Sequence, residues 1–426
     1  MKVHLAYGKN GLDVEIPGKN LVKILTMNRT SPLHNPSQEL RSILKEPIGC
    51  KPLREMARGK RSACIVLCDI TRPVPNKLLL PPVLDVLEEA GITRNNITLL
   101  IATGLHRPST PEERRYMVGE EIVQQYRMVD HRARVRTEQR YLGKTANETP
   151  VYIDETYCAA DLKISLGFIE PHLMAGFSGG RKMVAPGCAG EETIKALHSP
   201  FFLEDPHCRE GSLEKNPLHR ELVEIARMAG HDFIVNVALN EGGDITGIFA
   251  GDPERAHEAG VECVRKSVRT TLREPVDIVV TTSAGFPLDL TYYQAIKGMT
   301  AALPVVKRGG MLILAAECAE GLGGKEFSAM ARRFSSAEEF QRHILHHPVE
   351  IDQWQLEECA KAALHADVVL VSSGIQPEER EELFIESAET VEEAIERGLR
   401  RYGDDSTIAV IPQGPYTLAD IENAGT

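Results

Sequence analysis

Residues 161–198 read DLKISLGFIEPHLMAGFSGGRKMVAPGCAGEETIKALH. The stretch begins as an apolar strand, Leu162 to Leu166, and breaks at Pro171-His172. A Gly-Phe-Ser-Gly-Gly turn (176–180) then delivers Arg181 and Lys182. A second small-residue turn, Ala185 to Gly190, opens a short helix ending near His198. Glycines in such number allow positive φ and close approach of backbone to a ligand, at an entropic cost. A Gly-rich turn running towards a helix N-terminus also exposes N–H groups that suit a phosphate. A tight turn with a surface lysine has the same composition, so this stretch alone leaves both readings open.

Working back towards the N-terminus, the same strand-then-polar-loop pattern recurs. Arg61 to Cys68 (RSACIVLC) is a continuous apolar run, as expected for a parallel strand covered on both faces. Asp69-Ile70-Thr71-Arg72-Pro73 follows it, then a helix from about Asn76 to Ala90. Ile97 to Ala102 repeats the run and ends in Thr103-Gly104-Leu105-His106-Arg107. Thr110, Pro111 and Glu113 make a capping box for the next helix. In doubly wound sheets the ligand sits beyond the carboxyl ends of the strands. Asp69 and Arg72, His106, and His172 with Lys182 all stand at such ends. An Asp-Arg helix cap or a lone surface histidine is an ordinary feature; three strand ends carrying such groups weaken that alternative. Val3 to Gly8 and Leu12 to Pro17 read as a hairpin, and Val151 to Tyr157 as a further strand.

Towards the C-terminus, Phe233 to Leu239 and Ile245 to Ala250 read as strands, and Gly251-Asp252-Pro253 begins a helix to about Thr270. The pattern restarts near Pro275. The reading is an α/β fold of two domains with Rossmann-like, mostly parallel sheets flanked by helices. The expected division is 1–273 and 274–426, with the active site in the cleft between them. In the second part, Asp277 to Thr281, Gly310 to Ala316, Val368 to Ser372 and Thr407 to Ile411 are strands. Tyr293 and Lys297 share a helix face, and Gln294 lies three residues before Lys297. Trp354, the only tryptophan, leads into a helix ending near Ala366.

Composition narrows the classes. Of the 426 residues, 42% are hydrophobic and 26% charged, enough for a large core. The net charge of -12 argues against non-specific nucleic-acid binding, which wants a basic face. No run of about 18 apolar residues occurs, so no membrane span is expected. The N-terminus lacks the apolar core of a signal peptide. Nine scattered cysteines without a CxxC pair fit reduced thiols in a cytoplasm. There is no GxGxxG after the first strand, GGRK lacks Walker A spacing, and no HExxH occurs. What remains is a cluster of His106, His172, His198, Lys182, Arg72 and Lys297. Arginine pairs with carboxylates, a lysine in a glycine-lined pocket serves as nucleophile or anchor, and imidazole is a base or a metal ligand. These residues suit a small carboxylate substrate without identifying the reaction.

Together, DITRP (69–73), TGLHR (103–107), EPHLMAGFSGGRKMVAPG (170–187), His198 and YQAIK (293–297) resemble the nickel-dependent lactate racemase family over essentially the whole chain. That family comprises hydroxyacid racemases and epimerases that use a nickel-pincer nucleotide. The resemblance implies that Lys182 is joined through a thioamide bond to a pyridinium-3-thioamide-5-thiocarboxylic acid mononucleotide. This cofactor holds nickel through one carbon and two sulfurs, and His198 completes the metal shell. By the same analogy Asp69, Thr71, Ser178, Gly179 and Gly180 contact the cofactor. Arg72 and Lys297 hold the substrate's carboxylate or hydroxyl, and Tyr293, Gln294 and Trp354 line or close its site. His106 and His172 exchange the hydroxyl proton while hydride moves from C2 to the cofactor and back, through a 2-keto acid. Two bases from different strand ends suit a reaction that accepts either enantiomer.

The implied partners are a small 2-hydroxy acid and the host's cofactor-synthesis enzymes. The substrate expected is lactate-like. Sugar acids, diacids and larger hydroxy acids, or a non-catalytic nucleotide carrier, are the alternatives. Met174, Phe286, Tyr292 and Trp354 are candidate walls of the substrate pocket. The oligomeric state has no signature in the sequence.

Overall fold

The computed structural model describes residues 1–422. Twelve strands build two six-stranded sheets. In chain order the first seven are β1 (Leu21–Ile24), β2 (Ala63–Cys68), β3 (Ile97–Ala102), β4 (Arg127–Asp130), β5 (Leu162–Phe168), β6 (Phe233–Leu239) and β7 (Ile245–Gly251). The rest are β8 (Val276–Thr282), β9 (Val306–Ala315), β10 (Asp367–Val371), β11 (Glu386–Ala388) and β12 (Ile408–Ile411).

The first sheet runs in the order β7-β6-β5-β2-β3-β4. Its neighbours are parallel except β6 and β7. The chain steps from β2 to β3 and β4 on one side, then returns to β5 and β6 on the other. The strand order therefore reverses between β2 and β5, and a crevice opens at their carboxyl ends. Side-chain alternation explains why both faces are covered. Ile65 and Leu67 of β2 pack with Leu79, Leu80 and Val83 of the helix Asn76–Glu89. Cys64 and Val66 point the other way, onto Met183, Val184 and Ala185. The segment carrying Lys182 is thus part of the core of one face.

The second sheet, β11-β10-β9-β8-β12-β1, is parallel throughout. Both sheets match the α/β architecture expected from the apolar runs. Sheet membership departs from the expected division at the N-terminus. The hairpin Lys2–Leu5 with Leu12–Glu15 forms as read. Its Val3, Leu5, Val14 and Ile16, however, pack with Ile278, Val280 and Ile313 of the second sheet. β1 pairs with β12. Residues 1 to about 25 therefore belong with the second unit. The hairpin's apolar face matches any sheet face, and periodicity does not say which.

Two local expectations are also corrected. The strand read over Val151 to Tyr157 ends at Asp154, whose side chain caps the Thr156 N–H at 2.9 Å and starts the helix Glu155–Ala159. The helix expected to reach Thr270 ends at Val268, and Arg269–Leu272 pairs in parallel with Leu418–Ile421.

Candidate functional site

Asp69 follows β2 and is buried. Its Oδ1 accepts from the Thr71 N–H at 3.1 Å and from the Thr71 hydroxyl. Its Oδ2 lies 2.6 Å from His106 Nδ1, beyond β3. With the Nδ1–H donated to a carboxylate, the neutral tautomer of His106 has its lone pair on Nε2, and its side chain is 46% exposed. Burial pushes the Asp69 carboxyl up, but the hydrogen bond and charge of His106, with Thr71 and Arg72, reverse this and hold it at about 2. Two loops are tied here, since the Gly104 N–H donates to Gly187 O at 3.0 Å. Gly104 has φ +53, which glycine adopts without strain.

Beyond β5 the chain makes a two-residue ladder, Pro171–His172 against Gly176–Phe177. Ser178 fastens it. The Glu170 N–H donates to Ser178 Oγ at 3.0 Å, and the Ser178 hydroxyl donates to Phe168 O at 2.9 Å. His172 Nδ1 accepts from the backbone N–H groups of Met174 and Ala175, both at 3.3 Å. Its neutral ring therefore carries the proton on Nε2. Burial, then the charges of Lys182, Lys297 and Arg72, hold His172 well below the usual histidine range.

Gly179 and Gly180 turn the chain into a single 3-10 turn, Gly180–Met183, with φ values of +78 and +49. The Gly180 N–H donates to Asn236 Oδ1 at 2.8 Å. A Cβ on Gly179 would sit 2.7 Å from that same oxygen. Arg181 points into the protein, donating to Ala175 O at 2.8 Å, with the His257 ring beside it at 2.8 Å. Lys182 is thereby turned to the other side of the segment. Burial, with the charges of Arg181, Arg72 and Lys297, holds its amine well below the ordinary lysine range, which favours the neutral form. A neutral amine is the form that attacks a carbonyl or thiocarbonyl.

His198 caps the helix Glu191–Leu197, and its Nδ1–H donates to Ile194 O at 2.8 Å. Nε2 is left with its lone pair. Burial depresses its pKa to about 4, against a smaller upward pull from the Ile194 carbonyl, so that nitrogen is available at neutral pH. Trp354, from the second unit, lies over it with ring centroids 4.6 Å apart. The Trp354 Nε1–H donates to Tyr293 OH at 3.0 Å, and Lys297 Nζ donates to Gln294 Oε1 at 2.6 Å. Burial and Arg72 lower Lys297 to about 7, against the opposing charges of Glu170 and Asp69. Among the described residues no group of three or more His, Cys, Asp or Glu is placed to hold a metal. His198 brings one soft-metal donor, and a metal there takes its other donors from a bound ligand.

Hydrogen bonds, ring contacts and mutual charge effects link Asp69, Arg72, His106, His172, Lys182, His198, Tyr293, Gln294, Lys297 and Trp354 into one cluster drawn from both units. Thr71, Ser178, Gly179 and Gly180 stand beside it, but the polar groups of Thr71, Ser178 and Gly180 bond to the protein itself. Of the expected pocket walls, Tyr292 is inside the second unit's core with its hydroxyl 3.0 Å from Cys359 Sγ. Phe286 packs under Lys9, and Met174 is buried in the first unit's core. Only Trp354 reaches the site. Two residues escaped the sequence reading. Glu170 ends the approach to His172 and pairs with Arg72 at 3.2 Å; the strand-end rule that found Asp69 also points to it. Asn236 lies mid-strand in β6, where nothing in the sequence marks it. Cavities of about 520 and 290 Å³ lie elsewhere, one at the β4 edge and the other behind Arg181, and share none of these groups but Arg181 itself.

Comparison with known proteins agrees over both units. The lactate racemase N-terminal domain family matches residues 7–211, and the lactate racemase C-terminal domain family matches residues 272–417. The chain is 36% identical over 417 residues to lactate racemase of Thermoanaerobacterium thermosaccharolyticum, covering 97% of each protein. It is 37% identical over 418 residues to lactate racemase of Lactiplantibacillus plantarum, covering 97% of this chain and 98% of that one. The solved apoprotein of the Thermoanaerobacterium racemase superposes with a TM-score of 0.93 at 34% identity, covering 98% of this chain and all of that one. A Thermotoga maritima protein superposes at 0.72 with 18% identity over 92% of this chain and all of that one, and shares the fold alone.

Proposed function

The chain belongs to the lactate racemase family, and on that premise we propose that it racemises a small 2-hydroxy acid, lactate in the first instance. In this reading it uses a nickel-pincer nucleotide joined to Lys182. One observation supports the reading above the others. His106 and His198 each commit Nδ1–H to a protein oxygen, so each offers a bare Nε2, one as base and the other as metal donor.

The residues fit the group. Lys182 supplies the neutral amine for attachment and His198 the imidazole donor. When bound, the cofactor supplies the acceptor that takes hydride from C2 and returns it. The protein does the rest. Arg72 and Lys297 bind the substrate carboxylate, the guanidinium through its planar fork. His106 takes the hydroxyl proton at Nε2, and Asp69 stabilises the imidazolium that forms. His172 presents Nε2–H to the same oxygen from the opposite side. For either enantiomer His106 returns its proton to that oxygen once hydride is back on C2, and His172 stays a neutral donor. Trp354 and Tyr293 cover the site from the second unit and limit the water that reaches it.

The test is expression of the chain together with cofactor-building enzymes and nickel. We expect an adduct on the peptide carrying Lys182, and loss of optical purity in either lactate enantiomer. An adduct without lactate turnover would redirect the assay to sugar acids, diacids and larger 2-hydroxy acids. An unmodified Lys182, in a host that loads a known family member, would leave the nucleotide-carrier alternative.

A further inference from the structure

Glu170 is the one carboxylate of the site to which the reaction described above gives no task. It follows β5, and its backbone is gripped from both sides by Ser178. Glu170 N–H donates to Ser178 Oγ at 3.0 Å, and the Ser178 N–H donates to Glu170 O at 2.9 Å. The side chain is 12% exposed, and Oε1 sits 3.2 Å from Arg72 Nε. After Arg72, the positive charges acting on it are Lys297 and Lys182. Arg72 and Lys297, one from each unit, thus both act on one buried carboxylate.

Arg72 and Lys297 are also the groups that take the substrate's carboxylate in the reading above, on which this inference rests. Two carboxylates brought to the same guanidinium in a poorly solvated place repel, and one of them takes up a proton. Asp69 is not the one to yield, because His106, Thr71 and Arg72 hold it at about 2. Glu170 has no such set of donors to its side chain, and burial already pushes its carboxyl above the ordinary glutamate value.

We infer that Glu170 is a positioning residue that stands in for the substrate's carboxylate. It holds Arg72 and offsets the charge of Lys297 in the empty site, releases the guanidinium when a 2-hydroxy acid binds, and takes a proton from solvent as it does so. The ion pair keeps two cations from repelling each other out of the cleft before substrate arrives. Substrate binding is then coupled to proton uptake although the overall reaction consumes none.

The test is titration calorimetry of the full chain with L-lactate near neutral pH, in buffers of different ionisation enthalpy. We expect uptake approaching one proton per lactate bound in Lys297→Arg, where residue 297 stays charged, and close to none once Glu170→Gln is added, whose backbone bonds to Ser178 are unchanged. No uptake by Lys297→Arg, or equal uptake by the double variant, would overturn the inference. A second measurement does not need lactate to bind. The pH dependence of Lys297 acetylation, read by peptide mapping, is expected to have a midpoint of about 7. Losing the Glu170 charge lowers it by about one pH unit, and Glu170→Asp restores part of the shift. An unmoved midpoint in Glu170→Gln overturns the inference even where lactate binds too weakly for calorimetry. If the loaded chain fails to racemise lactate while that midpoint moves, the substrate reading fails and the counter-ion role of Glu170 stands.

Discussion

Asp69 Oδ2 and His106 Nδ1 lie 2.6 Å apart, joining the ends of two adjacent parallel strands. This contact decides which nitrogen of His106 is bare. Replacing Asp69 by Asn keeps the size but lets an amide N–H face Nδ1, which moves the proton to Nε2 and disables the base. We expect kcat to fall by about 10²–10⁴, with KM for lactate changed by less than about threefold. Steady-state kinetics at equal Lys182 loading check this, and a KM effect with kcat intact would make Asp69 a binding residue instead.

The same carboxylate links stability to pH. Its folded value of about 2 lies below the roughly 3.9 of an unfolded chain. A depressed folded pKa contributes stability above the unfolded value, and that stability is lost as pH falls through the folded one. The contribution is about 2 kcal/mol. Urea unfolding of the natural chain and Asp69→Asn should therefore differ most above about pH 5 and converge near pH 2.

His106 and His172 are not equivalent: one presents a bare Nε2, the other Nε2–H held by two backbone donors to Nδ1. The equilibrium constant between enantiomers is one, so kcat/KM must be equal for both at every pH. The asymmetry can appear only as unequal kcat matched by equally unequal KM. We expect several-fold differences between D- and L-lactate in initial-rate measurements, narrowing in His172→Gln; identical kcat values would show that the two imidazoles interconvert freely.

His198 lies under the only tryptophan of the chain. Its Ala variant should lose nickel at least tenfold by elemental analysis, with little change in melting temperature. In the unloaded chain, Trp354 fluorescence should change with a midpoint of about 4 as His198 protonates beneath it. A flat profile from pH 3 to 7 would mean that the rings part in solution.

Gly180 has φ +49, and an added Cβ would meet the His257 ring at 3.0 Å. Gly180→Ala is expected to destabilise by about 1–2 kcal/mol and to reduce the Lys182 adduct more than the folded fraction. Differential scanning calorimetry and intact mass measure the two separately. Equal losses would make the glycine a matter of folding alone.

The parallel strands, Asp69, His106, His172 and Lys182 were legible because continuous apolar runs ending in polar loops have a simple geometric meaning. The assignment of roles was less legible. Thr71, Ser178 and Gly180 look, as a sequence, like groups free to hold a nucleotide. In the structure they bind Asp69, Phe168 and Asn236, partners up to 56 residues away that no local pattern specifies. Tyr292 and Phe286 failed as pocket walls for a related reason. Side-chain direction depends on which helix or strand lies opposite, as Cys359 does for Tyr292 and Lys9 for Phe286.

The hairpin at the start of the chain has a consequence for synthesis. Asn20 Nδ2 donates to Ser406 O across 386 residues, and β1 has no neighbour in its sheet but β12. On the ribosome β1 emerges long before β12, the strand it pairs with, has been made. The sheet spanning residues 63–251 has all its strands well before the other, which closes only once residues 408–411 are made. Val3, Leu5, Val14 and Ile16 stay uncovered in the interval. A chain stalled or clipped before residue 276 therefore bares the apolar face of the hairpin to chaperones and proteases, and one stopped before residue 408 leaves β1 without its partner.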